Sequence, residues 1–130
     1  MEDLDEFVEA LYGAAPGLTD VLREADEPAP DPDFPSVWLA DVGRALARLL
    51  PSLAEHQASE AFQVVERYLV RGGEFLKAAI ATELLEALAS EVSSGKLSGP
   101  ALAAVLGPES RAYLDAWDEF TLGHSSLDPG

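Results

Sequence analysis

Glu83 and Glu86 stand three residues apart in the stretch AIATELLEALAS, residues 79–90. Paired carboxylates can move protons on a substrate or hold a hard cation. At this spacing on a helix both can face one cleft. A helical di-metal centre also needs further carboxylates and an E-x-x-H pair on neighbouring helices, and the chain contains no E-x-x-H. His56 and Glu60 have an i,i+4 spacing that could share a metal, yet they fall on the polar side of their segment with Arg67 nearby. Asp115 and Asp118 in DAWDEF repeat the three-residue acid spacing as an ordinary solvated helix face would. Two histidines, His56 and His124, give little basis for a Ser-His pairing, and the absence of cysteine removes thiolate chemistry. The glycines form no phosphate-cradling pattern. The expectation is therefore no catalytic residue, no metal and no cofactor, hence no enzyme. Glu83 and Glu86 are then acids at the border of an apolar stripe, where Glu83 is expected to cap or pair with an amide or an arginine, and both are candidate partner contacts.

That stripe belongs to a long helix expected from Glu74 to about Ser93. Leu76, Ile80, Leu84, Leu88 and Val92 follow one another at i+4, and Ala87 joins them. On a wheel Glu83 lies beside this line and should be partly buried. Glu86 lies farther round, over the small residues Ala79 and Thr82.

The remaining elements read the same way. Leu4, Phe7, Val8 and Leu11 mark a first helix, ended by Gly13 and Pro16-Gly17, and Thr19 is a candidate cap for a short one over Asp20–Ala25. EPAPDPDFP follows, with prolines at 28, 30, 32 and 35, and reads as an extended linker. Ser36 is a plausible N-cap for a helix carrying Leu39, Val42, Leu46, Leu49, Leu50 and Leu53. Pro51 breaks it, and Ser52 to Glu55 has capping-box spacing. The next helix buries Ala58, Phe62, Val65 and Leu69 and turns His56, Glu60, Gln63, Arg67 and Arg71 outward. Gly72-Gly73 lets the chain reverse. Ser98 and Pro100 open a short helix over Ala101–Leu106, and Gly107-Pro108 starts the last, Glu109–Leu122, with Leu114, Trp117 and Phe120 on one side. Nothing reads as strand. The fold class is all-α: five to six helices as stacked antiparallel hairpins, a small bundle with α-solenoid-like pairing but no sequence repeat. The organisation is one domain, with an acidic helical segment over 1–27, a Pro/Asp-rich linker over 28–35, a helical core over 36–122 and a tail over 123–130.

Charge is the strongest compositional signal. In 130 residues, 24 acids face eight bases for a formal charge of -16. Residues 1–33 hold eleven acids and the single base Arg23. Such a surface repels phosphate backbones and anionic headgroups, which argues against nucleic acid and membranes as partners. The plainer reading is that the charge keeps the protein soluble. No apolar run approaches the ~18 residues of a membrane span, and the acidic N-terminus has no signal-peptide n-region. A cytoplasmic protein is expected. Trp38 follows the acidic linker, so Phe34 and Trp38 could frame an exposed aromatic patch, although such residues more often staple a linker to its domain.

A likeness adds to this reading. Ala79, Ile80, Leu85, Glu86 and Leu88 match an A-I-x-x-x-x-L-E-x-L helix, and Leu106, Gly107, Pro108 and Ser110 match an L-G-P-x-S turn before a last helix. Over residues 36–122 the chain resembles uncharacterised small bacterial all-helical proteins, some of which resemble immunity proteins of toxin systems. The resemblance implies a helical non-enzyme that binds another protein and supplies no catalytic residue. The expected function is a protein-binding module, most concretely an immunity-type inhibitor masking a basic toxin or nuclease. Asp31, Asp33, Phe34, Trp38, Glu83 and Glu86 are its candidate contacts. The alternative is a structural or regulatory adaptor that self-associates, as a homodimer for instance, through a helix face.

Overall fold

The computed structural model describes residues 2–24 and 35–122, with side chains over 4–24 and 38–117. Among them run seven helices: α1 Glu2–Ala14, α2 Gly17–Glu24, α3 Pro35–Leu49, α4 Glu55–Arg71, α5 over 74–93, α6 Gly99–Ala103 and α7 Pro108–Leu122. No strand occurs among the described residues. The molecule is a small all-α bundle. Its core takes Leu4, Phe7 and Leu11 from α1, Leu18 and Leu22 from α2, and Leu39, Val42 and Leu46 from α3. Phe62 and Val65 of α4, Leu76 to Leu88 of α5, Leu102 of α6 and Leu114 of α7 complete it. The acidic N-terminal helices thus share one apolar cluster with the rest of the described chain. Phe7 meets Tyr68 across α1 and α4 with ring centroids 5.4 Å apart and planes tilted by 59°, a favoured aromatic arrangement.

Helix ends differ from the sequence expectation for local reasons. Proline suits a first helical position, and α3 begins at Pro35 rather than after it. Thr19 does not cap α2: the helix already starts at Gly17, and the Thr19 hydroxyl donates to the Pro16 carbonyl at 2.8 Å. Ser52 lies in a 3-10 turn, Leu50–Ser52, so the box expected at Ser52 is absent. The cap residue of α4 is Ala54, whose amide donates to Gln57 Oε1 at 3.3 Å. Ser98 does cap α6, accepting from the Ala101 amide at 3.3 Å. α6 stops at Ala103, short of the expected Leu106. α5 ends in a Schellman turn: Lys96 N–H donates to Glu91 O, Gly95 N–H donates to Val92 O, and Gly95 sits at φ 80°.

α5 is not a plain α-helix. It runs α over Glu74–Ala79, π over Ile80–Leu85 and α again over Glu86–Ser93. The sequence contains the reason. Apolar residues at strict i+4 spacing drift by about 40° per step around an α-helix. A π segment winds more loosely and returns the line to the core, so Leu76, Ile80, Leu84 and Leu88 all reach full burial. The wheel at constant pitch is therefore in error past Ile80. α3 packs closely along this segment. A methyl group on Gly43 would stand 2.5 Å from the Leu84 carbonyl oxygen and 2.9 Å from Ala87 Cβ.

Candidate partner-binding surface

The candidate contacts do not converge. Asp31, Asp33 and Phe34 lie outside the described residues. Trp38 is 3% exposed and belongs to the core; as the fourth residue of α3 it packs inward, so it cannot frame an exposed aromatic patch. Glu83 and Glu86 are both half-buried. Glu86 does not look out freely over small residues: the Tyr113 hydroxyl of α7 donates to its Oε2 at 2.7 Å. Burial first, then that hydrogen bond and the Glu86 charge, hold the Tyr113 phenol well above its ordinary pKa. The Tyr12 phenol is raised by burial. No hydrogen bond or ion pair to the Glu83 side chain occurs among the described residues. No group of three or more His, Cys, Asp or Glu side chains that could hold a metal ion occurs among them either.

Acids dominate the exterior of α1 and α2. Asp5, Glu6 and Glu9 are exposed on α1, Asp20 and Glu24 on α2. Because Leu4, Phe7 and Leu11 anchor α1 in the core, the α1 acids form a fixed array rather than a trailing arm. Half of the bases are engaged within their own helices: Arg23 with Asp20, Arg44 with Asp41, Lys77 with Glu74, and Arg111 with Asp115. Such pairs leave the acidic excess elsewhere uncompensated.

Sequence reasoning missed one polar constellation. Glu66, on α4, reaches the start of α7. Its Oε2 accepts the Glu109 amide at 2.9 Å, and its Oε1 accepts the Ser110 amide at 2.9 Å and the Ser110 hydroxyl at 2.8 Å. The first amides of a helix have no partner within it and carry partial positive charge. A carboxylate from another helix satisfies them here. The approach requires Gly107, where a methyl group would lie 2.5 Å from Glu66 Cδ. It also accounts for Ser110, which is 1% exposed yet polar. The L-G-P-x-S turn is thus a receptor for the Glu66 carboxylate. The signal available in sequence was Ser110 itself, a hydroxyl on the inward side of its helix.

Beside this clamp lies a cleft of about 630 Å3 between α4 and the segment joining α6 to α7, lined by Arg67, Val70, Arg71, Val105, Leu106 and Pro108 among others. A second, of about 520 Å3, lies between α2, α3 and the end of α5 and holds Arg44, Arg48 and Lys96 with Asp41 and Glu91.

Fold and surface together define a small acidic all-α domain held by one core and a cross-helix carboxylate clamp. The chain belongs to the family described as a domain of unknown function, DUF7674, whose model matches residues 8–123. That match takes in the second half of α1 and all of α2, which the sequence resemblance leaves outside. No curated protein and no solved structure matches the chain. None of the described helices is long and apolar enough to cross a membrane.

Proposed function

We propose that the protein is a non-enzymatic binding module for a basic protein, in the concrete form of an immunity-type inhibitor that masks a basic toxin or nuclease in the cytoplasm. The supporting observation is the acidic array of Asp5, Glu6 and Glu9 on a helix anchored in the core, within a chain of net charge -16. Such a field speeds encounter with a cationic surface and disfavours anionic ones. Glu83, half-buried and without a described partner, is the interior candidate contact that remains available. Glu86 could contribute only by giving up or sharing Tyr113.

The test begins with a basic protein captured stoichiometrically by the tagged chain and then purified. Calorimetry at low and moderate salt should show affinity falling with salt. Asp5→Lys, Glu6→Lys and Glu9→Lys together should weaken binding by at least about tenfold. Affinity indifferent to both salt and charge reversal would reject the mechanism. Self-association has its own observation: Val70 and Phe75, 47% and 48% exposed, flank the turn between α4 and α5. Sedimentation showing a monomer at every concentration would remove that alternative.

A further inference from the structure

The geometry points to the cleft between α4 and the α6–α7 connection as a binding site for a small oxyanion ligand, a carboxylate or phosphate group carried on an apolar body. The site lies apart from the α1 acids and does not depend on the binding reading above. Its chemistry starts from an imbalance on α4. In a chain with three acids for every base, Arg67 and Arg71 have no acid three or four positions away within their helix. At i,i+4 they face each other instead, and like charges at that spacing are destabilising. Both are exposed, and neither makes an ion pair or a side-chain hydrogen bond among the described residues. The bases Arg23, Arg44, Lys77 and Arg111 behave differently, each taking an acid of its own helix.

The acids nearest in sequence are Glu66, beside Arg67, and Glu74, which follows Arg71 and pairs with Lys77; Glu66 itself lines the cleft. Both of its oxygens are engaged by the start of α7 through the Glu109 amide, the Ser110 amide and the Ser110 hydroxyl. The two guanidinium groups thus stand on the wall of a cleft whose lining carboxylate, Glu66, is already engaged by the start of α7. The guanidinium fork matches carboxylate and phosphate oxygens in a bidentate manner. Beside the arginines, Val70, Val105, Leu106 and Pro108 supply apolar wall. Among the described residues Val70 is one of two large hydrophobic side chains that stand exposed, and here it borders the two arginines. At the far end Gln63 donates to the Ser59 hydroxyl at 3.1 Å, closing the polar rim on itself. The volume of about 630 Å3 falls in the range of roughly 300–1,000 Å3 common for small-ligand sites. An anionic head on Arg67 and Arg71 would set its apolar body against Val70 and Val105.

The test uses the full chain, labelled with 15N, titrated separately with octanoate, octyl phosphate and octanol at millimolar concentrations. At least one of the two anions should bind and shift amides within 59–71 and 104–109, and octanol should bind more weakly. Arg67→Gln and Arg71→Gln should each weaken the anion by at least about tenfold. Arg48→Gln, a change to an exposed base on α3, should leave it unaltered. Binding of octanoate alone assigns a carboxylate ligand, and binding of octyl phosphate alone assigns a phosphate; both uphold the site. No binding by either anion overturns it. So does octanol binding as tightly as the anions, or equal weakening by Arg48→Gln. Should either glutamine variant unfold, Arg67→Lys and Arg71→Lys keep the charge and remove the fork; undiminished anion binding in both would also overturn the proposal.

Discussion

Two helix junctions in this bundle are closed by opposite means. Where α3 crosses α5, backbone nearly meets backbone, and the side chains around Gly43 and Leu84 are apolar. Where α4 meets α7, one carboxylate accepts three hydrogen bonds from the first turn of its neighbour. The apolar junction sets a distance, because close-packed atoms resist compression but have little directional preference. The polar junction sets a register, because hydrogen bonds fix which residue faces the carboxylate. Each depends on a glycine, for different reasons. At Gly43 an added methyl would strike backbone; at Gly107 it would strike a side chain that can swing away.

That contrast can be broken by substitution. The largest effect is expected from Gly43→Val, since neither the Leu84 carbonyl nor Ala87 can yield without moving a helix. A loss of about 3 kcal/mol, the upper part of the usual overpacking range, is expected in urea unfolding. A loss under half of that would mean the crossing is looser than described. Glu66→Ala comes next. Removing a charged cap leaves the Glu109 and Ser110 amides and the buried Ser110 hydroxyl without this partner, at a cost of about 2 kcal/mol. Gly107→Ala sharpens the comparison. Alone it should cost about 1–2 kcal/mol by evicting the carboxylate, and in the Glu66→Ala background almost nothing, giving clear non-additivity in a double-mutant cycle. Additive losses would show that Gly107 matters for some other reason.

The smallest effect is expected from Tyr113→Phe, about 1 kcal/mol for a single hydrogen bond. It also carries a pH signature. The folded phenol is held above its ordinary pKa of 10.0 by burial, by its hydrogen bond to Glu86 and by the Glu86 charge. Above about pH 10 the unfolded chain loses this proton while the folded one keeps it. Stability present below pH 10 is therefore lost as pH rises beyond it. Tyr113→Phe should flatten that alkaline decline in a series of thermal melts. An unchanged slope would assign the decline to other groups.

The apolar junction was largely legible in sequence, and the polar one was not. Leu39, Val42 and Leu46, or Ala58, Phe62 and Val65, announce buried faces by their spacing alone, and burial follows. Spacing failed where winding changed. The i+4 line from Leu76 to Leu88 was visible, but a constant pitch could not show that a π segment would straighten it, and so it misjudged the surroundings of Glu86. The acidic linker before Trp38 makes it a candidate contact, but its helical spacing also suits a core anchor, and its own helix turns it inward. Glu66 gave no sign at all. It is one of 24 acids, and its partners lie in a different helix. Local capping patterns look only a few residues ahead, so they pointed to Ser52 while the effective cap of α7 stood on α4.

Glu66 and Ser110 are separated by 44 positions, and that separation has a kinetic consequence. Joining them closes a loop that contains all of α5 and α6. Contacts between sequence neighbours, such as α4 with α5, need far less chain ordering and can form first. The carboxylate then engages after the folding barrier has been crossed, and interactions absent at the barrier act on the rate of unfolding. In stopped-flow chevrons Glu66→Ala should steepen the loss of native protein while leaving the refolding limb in place. The clamp is a latch: it governs how long the folded molecule lasts, not how quickly it forms.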